Sequence, residues 1–367
     1  MTEHRDLKRL VRERMARTGE SYSTARRHVT ARQPQRSAHR ESALVARLLS
    51  DAGQLAPHTG EPFTEAMVCG LAGGIGFLYA VFEYKGLPPL VTLVAQHHPD
   101  PWAPAALRRA GVAFTEAHSG SPAPATTALR RDLDAGRTVL CTIARGRLPW
   151  HPDDPFDADP YPVLVTAGTG DDIMVDDGTG TPRTLPLETF VTAWSAHRKG
   201  RHHRLVVTGE RTGDPAVRDA IATTVAHLTG PVLGNAFDVN FGLSGLERFA
   251  SQLRDERTKT GWARRFADPD ALAAGLRRVH DCVERELTAP GATRPLYAEF
   301  LDEAATIVDL PPAAADAYRE AGDRWHRLAS AALTASHMRE TALSRLADLA
   351  DDVLAAERTA AGVIAEV

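Results

Sequence analysis

The chain has 367 residues, 43 % of them hydrophobic and 25 % charged, with a formal net charge of −4. That length holds two ordinary domains, and the composition is that of a globular protein, which excludes fibrous and disordered classes. No apolar run reaches the roughly 20 residues of a membrane span, and the charged first residues lack a signal peptide's apolar core, so a cytoplasmic, membrane-free protein is expected.

In chain order, residues 1–36 form a basic arm. The first forty residues carry eleven Lys/Arg against four acids, a local charge of +7 that leaves −11 for the remainder. Leu7, Leu10, Val11 and Met15 recur at helical spacing before Gly19, and Ser21 or Ser23 then caps a second short helix, so a basic helical hairpin is expected, followed by a polar linker over 31–37. The arm is read either as a solvated amphipathic segment on the body or as a docking surface for an acidic partner, such as a carrier protein or a small accessory subunit. Nucleic acid is disfavoured, because the rest of the chain is acidic and no aromatic stacking platform accompanies the arm.

Residues 37–210 read as a mixed domain. Helices are expected over 42–52, 102–109 and 125–135, each closed by a glycine (Gly53, Gly111, Gly136). Short β-branched runs at 90–94, 138–144, 163–167, 173–175 and 205–208 read as strands. This order predicts an α+β fold with an antiparallel sheet. Residues 214–367 predict a helical domain, with apolar helix-period faces over 216–228, 243–256, 269–286, 295–308, 313–333 and 337–363. Asn240 is the expected N-cap of the second, with Leu243, Leu246 and Phe249 on its buried face.

Two features bear on chemistry. Four glycines (Gly70, Gly73, Gly74, Gly76) interrupt the apolar run Glu65-Ala-Met-Val-Cys-Gly-Leu-Ala-Gly-Gly-Ile-Gly-Phe77, which implies an unusual turn or a close approach of backbone to another group. Cys69, Cys141 and Cys282 are too far apart for a disulfide framework or a paired-cysteine zinc site, and His97-His98 and His202-His203 lie on no recognisable ligand spacing. Neither a metal nor a cofactor is expected.

With Ala38-His-Arg-Glu-Ser-Ala-Leu44 before it, the glycine-rich run resembles the N-terminal domain of the butirosin-biosynthesis protein H family. Asn240-Phe-Gly-Leu-Ser-Gly-Leu-Glu-Arg-Phe-Ala-Ser-Gln-Leu253, with 291–301, resembles the helical domain that usually follows it. The resemblance covers roughly residues 37–335. It implies a papain-like fold related to bacteriocin-processing peptidases, and acyl transfer from a carrier-protein thioester to an aminoglycoside amine. Such transfer needs a thiolate, an activating imidazole and an orienting carboxylate.

Mapped onto this chain, the family's first histidine is His39, but the nucleophile position holds Arg40, which stays protonated at neutral pH. The family's second histidine falls at Tyr161, and only the carboxylate remains, as Asp176 or Asp177. Gly291-Ala-Thr-Arg-Pro295 also departs from the family, having lost glycines.

The expected catalytic set is therefore Arg40, Tyr161, Asp176 and Asp177, with His39, Glu41, Gly73 and Gly74 binding substrate. Cys69 is either a small buried hydrophobe or a relocated nucleophile, and Ser42 either a helix-face residue or a hydroxyl nucleophile. Three functions follow: a degenerate acyltransferase site repurposed for acid/base and electrostatic elimination or cyclisation of a small or carrier-bound biosynthetic intermediate; a working acyltransferase using Cys69 or Ser42; or a non-catalytic scaffold for a partner enzyme.

Overall fold

The computed structural model describes residues 38–96, 101–151, 160–286, 288–338 and 343–367. The basic arm with its expected hairpin and linker, and His97-His98, lie outside the described residues.

Helix α1 (Arg40–Asp51) starts where the His39 side chain accepts a hydrogen bond from the Ser42 N–H, and it buries Leu44, Val45, Leu48 and Leu49. Helix α2 (Glu65–Leu71) is capped by the Thr64 side chain on the Met67 N–H. The glycines after it permit close contact, as their pattern implied. A Cβ on Gly70 would lie 2.2 Å from the Phe300 ring, and one on Gly74, at φ +66°, 2.3 Å from Tyr297. The chain then enters strand β1 (Ile75–Phe82), which pairs antiparallel with β2 (Leu90–Gln96).

Helix α3 (Trp102–Arg109), β3 (Val112–Ala117), α4 (Pro122–Asp134), β4 (Val139–Ala144), β5 (Pro160–Ala167), β6 (Asp172–Asp176), β7 (Arg183–Pro186), α5 (Leu187–Ala196) and β8 (Arg204–Arg211) follow. Six of these strands form one antiparallel sheet in the order β3-β8-β4-β5-β6-β7. Alternation sends side chains to opposite faces. Leu140, Leu164 and Leu205 join the core that contains Leu44, Leu48 and Leu107, while Cys141, Val163, Val165 and Val206 join Leu129, Phe190 and Trp194 from α4 and α5. The fold is α+β with antiparallel pairing and a helical C-terminal half, as expected.

That half comprises α6 (Val217–Thr229), α7 (Gly242–Arg254), the short α8 (Trp262–Arg265), α9 (Pro269–Glu284), α10 (Arg294–Ala304), α11 (Ala314–Met338) and α12 (Leu343–Ile364). The N-cap of α7 is Phe241 and not Asn240. Asn240 instead closes a 3-10 turn, its Nδ2 donating to the Phe237 carbonyl, because Asp238 and Asn235 form a reciprocal cap one turn earlier. Among the described residues, no helix is long and apolar enough to cross a membrane.

The apolar cores cut across the expected boundary at 210–214. Phe77, Tyr79, Val91 and Leu93 of the β1–β2 hairpin are buried with Leu246, Phe249, Leu276, Trp325 and Val353 of the C-terminal helices. Tyr79 ties the two together, its hydroxyl donating to Gln252 Oε1 at 2.7 Å and accepting from Trp262 Nε1 at 2.9 Å. Conversely, Tyr297 and Phe300 of α10 share a core with α1 and α2.

Candidate active site

The amino terminus of α1 is the focus of the site, since unpaired backbone N–H groups and the helix dipole favour negative charge there. His39 is buried at this point. Its Nδ1 lies 2.8 Å from Ser42 Oγ, its Nε2 2.6 Å from Gln96 Oε1, and its ring sits edge-on to Trp102. The Glu65 carboxylate accepts from the His39 backbone N–H and so anchors the helix entry. Burial dominates the His39 environment and drives its pKa down to about 4; the Gln96 bond opposes this and the Arg40 charge adds to it.

A pH effect on stability follows, with its sign fixed by the direction of that shift. An unfolded histidine titrates near about 6.5, whereas folded His39 stays neutral down to about 4. As the pH falls between these values the unfolded chain takes up a proton that the native chain refuses. Stability is then lost at roughly 1.4 kcal/mol per pH unit, about 3 kcal/mol across the window. Urea unfolding at pH 7, 5 and 4 is expected to show this slope in the native protein. In His39→Asn, whose side chain keeps a cap acceptor, the slope should flatten; an equal slope in the variant would place the acid sensitivity elsewhere.

Arg40 occupies the first position of α1, with 22 % of its side chain exposed. Its Nη1 donates to the carbonyls of Pro162 (2.8 Å) and Asp177 (3.1 Å), and its guanidinium lies 4.0 Å above the Tyr161 ring. Arg145 approaches the same ring at 5.0 Å. Glu41 stands 3.8 Å from Arg40 Nη2; burial raises its carboxyl pKa and the Arg40 charge opposes the rise. The left-handed Gly178 at φ +73° makes room for the arginine stem, since a Cβ there would come within 2.7 Å of Arg40 Cγ.

Asp177 is nearly enclosed. Its Oδ2 accepts from Trp150 Nε1 at 2.9 Å and lies 3.1 Å from His151 Nε2, while Oδ1 accepts from Thr179 Oγ1 and N–H. Burial alone would raise its pKa, but these hydrogen bonds, led by Thr179 and Trp150, outweigh it and lower the value to about 2. The result is a permanently ionised carboxylate holding an imidazole. His151 donates through Nε2, which leaves Nδ1 as its basic nitrogen, and 17 % of its side chain is exposed. The His151 ring also stands edge-on to Tyr161 at 5.8 Å. Burial pushes the Tyr161 phenol up, against the pull of Arg40.

The structure therefore brings Arg40, Tyr161 and Asp177 together with Glu41 at the edge. Asp176 accepts from the Gly178 N–H and serves the turn. Gly73 and Gly74 are buried against the C-terminal helices, with Thr224 Oγ1 donating to the Gly73 carbonyl. Cys69 is fully buried, and burial, assisted by the Glu65 charge, pushes its thiol up despite a bond from Ser42. Ser42 is equally buried.

Sequence reasoning missed His151 and its partner Trp150, which sit in a loop 26 residues from Asp177. It also missed a second group. Glu116, His118 and His203 offer ligand atoms all within 4.8 Å of one another, the described cluster with the composition of a metal site. Glu116 lies in β3 and His118 just past its end, two residues on, a spacing that would have found them had His203 been placed just before the neighbouring strand β8.

Residues 39–178 match the family described as butirosin biosynthesis protein H, N-terminal. Residues 190–363 match a domain of unknown function (DUF4872). No curated protein matches the chain.

Proposed function

Since the chain belongs to the butirosin biosynthesis protein H-like family, whose N-terminal domain is papain-like, we propose that it acts in antibiotic biosynthesis with the acyl-transfer seat rebuilt for non-covalent acid/base and electrostatic chemistry. One observation carries this reading. The helix-terminal position at which the family places its thiol holds the Arg40 guanidinium, stacked on Tyr161 and bonded to Pro162 and Asp177. The three cysteines are all buried elsewhere.

In the proposed reaction His151 Nδ1 removes a proton from the intermediate, and Asp177 fixes the tautomer and stabilises the imidazolium that forms. The electron pair released forms a double bond or closes a ring, and an anionic leaving group such as a sulfate or phosphate departs toward Arg40 and Arg145. Oriented guanidiniums stabilise charge that develops in the transition state without reorganising, which is the most effective electrostatic catalysis a protein supplies. The intermediate is small or carried by an acidic carrier protein, which the basic arm or the helical half would receive.

A second reading, acyl transfer through Ser42, has one geometric point in its favour. The hydroxyl, His39 and Gln96 form a hydrogen-bonded series. Complete burial of Ser42 opposes it. Incubation with an acyl-carrier thioester followed by intact-protein mass spectrometry separates the two. The proposed chemistry predicts no acyl adduct on the native protein, together with lost product formation in Arg40→Ala. An adduct that disappears in Ser42→Ala or Cys69→Ala would establish covalent transfer, and full function in both Arg40→Ala and Asp177→Ala would leave only a scaffold.

A further inference from the structure

At the edge of the six-stranded sheet the β3–β8 ladder runs through the pair Ala117↔Arg204. Just beyond the ends of both strands His118 and His203 face each other, their ring centroids 4.9 Å apart. Glu116 lies in β3, two residues before His118, and its side chain reaches both imidazoles. Glu116 Oε1 is 3.0 Å from His203 Nε2 and 4.0 Å from His118 Nε2.

The other nitrogen of each imidazole is already engaged. His118 Nδ1 lies 3.0 Å from the Gly200 carbonyl, and His203 Nδ1 2.9 Å from Thr142 Oγ1. The Gly200 carbonyl can only accept, so His118 carries its proton on Nδ1 and turns the Nε2 lone pair toward Glu116. Such outer bonds on the distal nitrogen are what orient histidines that ligate metals. The backbone is also held for this placement. Arg201 and His202 both adopt left-handed conformations, at φ +48° and +49°. His202 is fixed there by Ser119 O at 2.8 Å and Ser195 Oγ at 3.0 Å. Non-glycine residues persist in that region only where the surroundings over-determine them.

We propose that Glu116, His118 and His203 bind a divalent transition-metal ion of the zinc class. Imidazole with one carboxylate suits borderline ions, and three protein ligands leave a fourth tetrahedral position for water or substrate. Tetrahedral ligands about 2.0–2.1 Å from zinc stand roughly 3.3–3.5 Å apart. Glu116 stands 3.0 and 4.0 Å from the two imidazole nitrogens and all three ligand atoms lie within 4.8 Å of one another, so the half-exposed His118 has to draw inward by up to roughly 1.4 Å to close the site. Binding displaces the proton shared between His203 and Glu116, so metal and proton compete for the site. The ion would sit on the cleft side of the sheet. Thr142, which holds His203, pairs with Pro162, whose carbonyl holds Arg40. At the usual strand spacing of about 4.8 Å the two sites lie roughly 10–12 Å apart. The site is independent of the chemistry assigned to His151.

The test is metal uptake by the full chain. Equilibrium dialysis and calorimetry with Zn²⁺, and visible absorption with Co²⁺, are expected to show one site per chain with the intense bands of tetrahedral cobalt. His118→Ala removes a half-exposed side chain and is expected to keep the native circular dichroism spectrum, yet it should weaken binding at least 100-fold and abolish the bands. Thr142→Val, which removes only the orienting hydroxyl, should weaken it about 10-fold or more. The proposal is overturned if the native chain takes up no more Zn²⁺ than His118→Ala, or if bound cobalt gives only weak octahedral bands.

Discussion

His151→Ala is expected to lower turnover by about 10²–10⁴-fold, the usual contribution of a positioned general base, with KM little changed. The intermediate that accumulates in a strain lacking the gene is the natural substrate for the assay. Asp177→Asn should approach the same loss with the imidazole still present, because an amide can present N–H to His151 Nε2 and reverse the tautomer that leaves Nδ1 basic. Arg40→Lys keeps the charge but loses the planar fork that bridges two carbonyls and stacks on Tyr161, so it should recover little. If His151→Ala turned over within threefold of the native protein while Asp177→Asn failed, the carboxylate would matter only for the loop it holds. His151 would then leave the mechanism.

The largest expected effect on stability lies at Arg294. This fully buried guanidinium donates to Glu357 Oε1 at 2.5 Å, to the Ala95 and Ala292 carbonyls at 2.7 and 2.8 Å, and to the Gly76 carbonyl at 3.1 Å. Trp325 Nε1 donates to the same Glu357 oxygen at 2.7 Å. One side chain thus ties α10 to α12 and to both strands of the β1–β2 hairpin. Arg294→Met should cost about 3–5 kcal/mol, because the buried Glu357 charge loses its partner and three carbonyls lose their donor. Arg294→Met with Glu357→Leu should recover a substantial part, since exchange of a buried ion pair for apolar side chains of similar volume is often neutral or better. Glu357 Oε2 has no hydrogen-bond partner among the described residues, which favours that recovery. Denaturant unfolding of the two singles and the double gives the coupling directly. A double variant no more stable than Arg294→Met would show that the carbonyl bonds, and not the ion pair, carry the load.

The sequence made parts of this molecule legible for reasons visible in particular residues. Gly53, Gly111 and Gly136 all adopt the left-handed conformation expected of glycines that close helices. The glycine-rich run meets Phe300 and Tyr297 at distances no side chain would allow, so its peculiarity is a packing requirement. Strand β1 starts in the last three residues of that run. It is buried along most of its length and shows no alternation, which removes the usual periodic signal. The loss of glycines at 291–295 also has a structural trace, since Ala292 and Thr293 sit at φ +57° and +68°. The proximity of Arg40, Tyr161 and Asp177 was legible only through family resemblance, which supplies the long-range pairing that local patterns lack. His151 was not, because no family position called for it, and a histidine in a Trp-His loop gives no hint of a carboxylate 26 positions later. The Glu116, His118 and His203 group escaped for the same reason, its ligands being divided between the end of β3 and the approach to β8.

The β1–β2 hairpin has an evolutionary consequence. The two stretches that match separate families look like interchangeable cassettes, yet the hairpin encoded in the first is roofed by helices encoded in the second. A recombination breakpoint near residue 211 would strip Phe77, Tyr79, Val91 and Leu93 of their cover and deny Arg294 its carbonyls. The two stretches therefore depend on each other for a covered core.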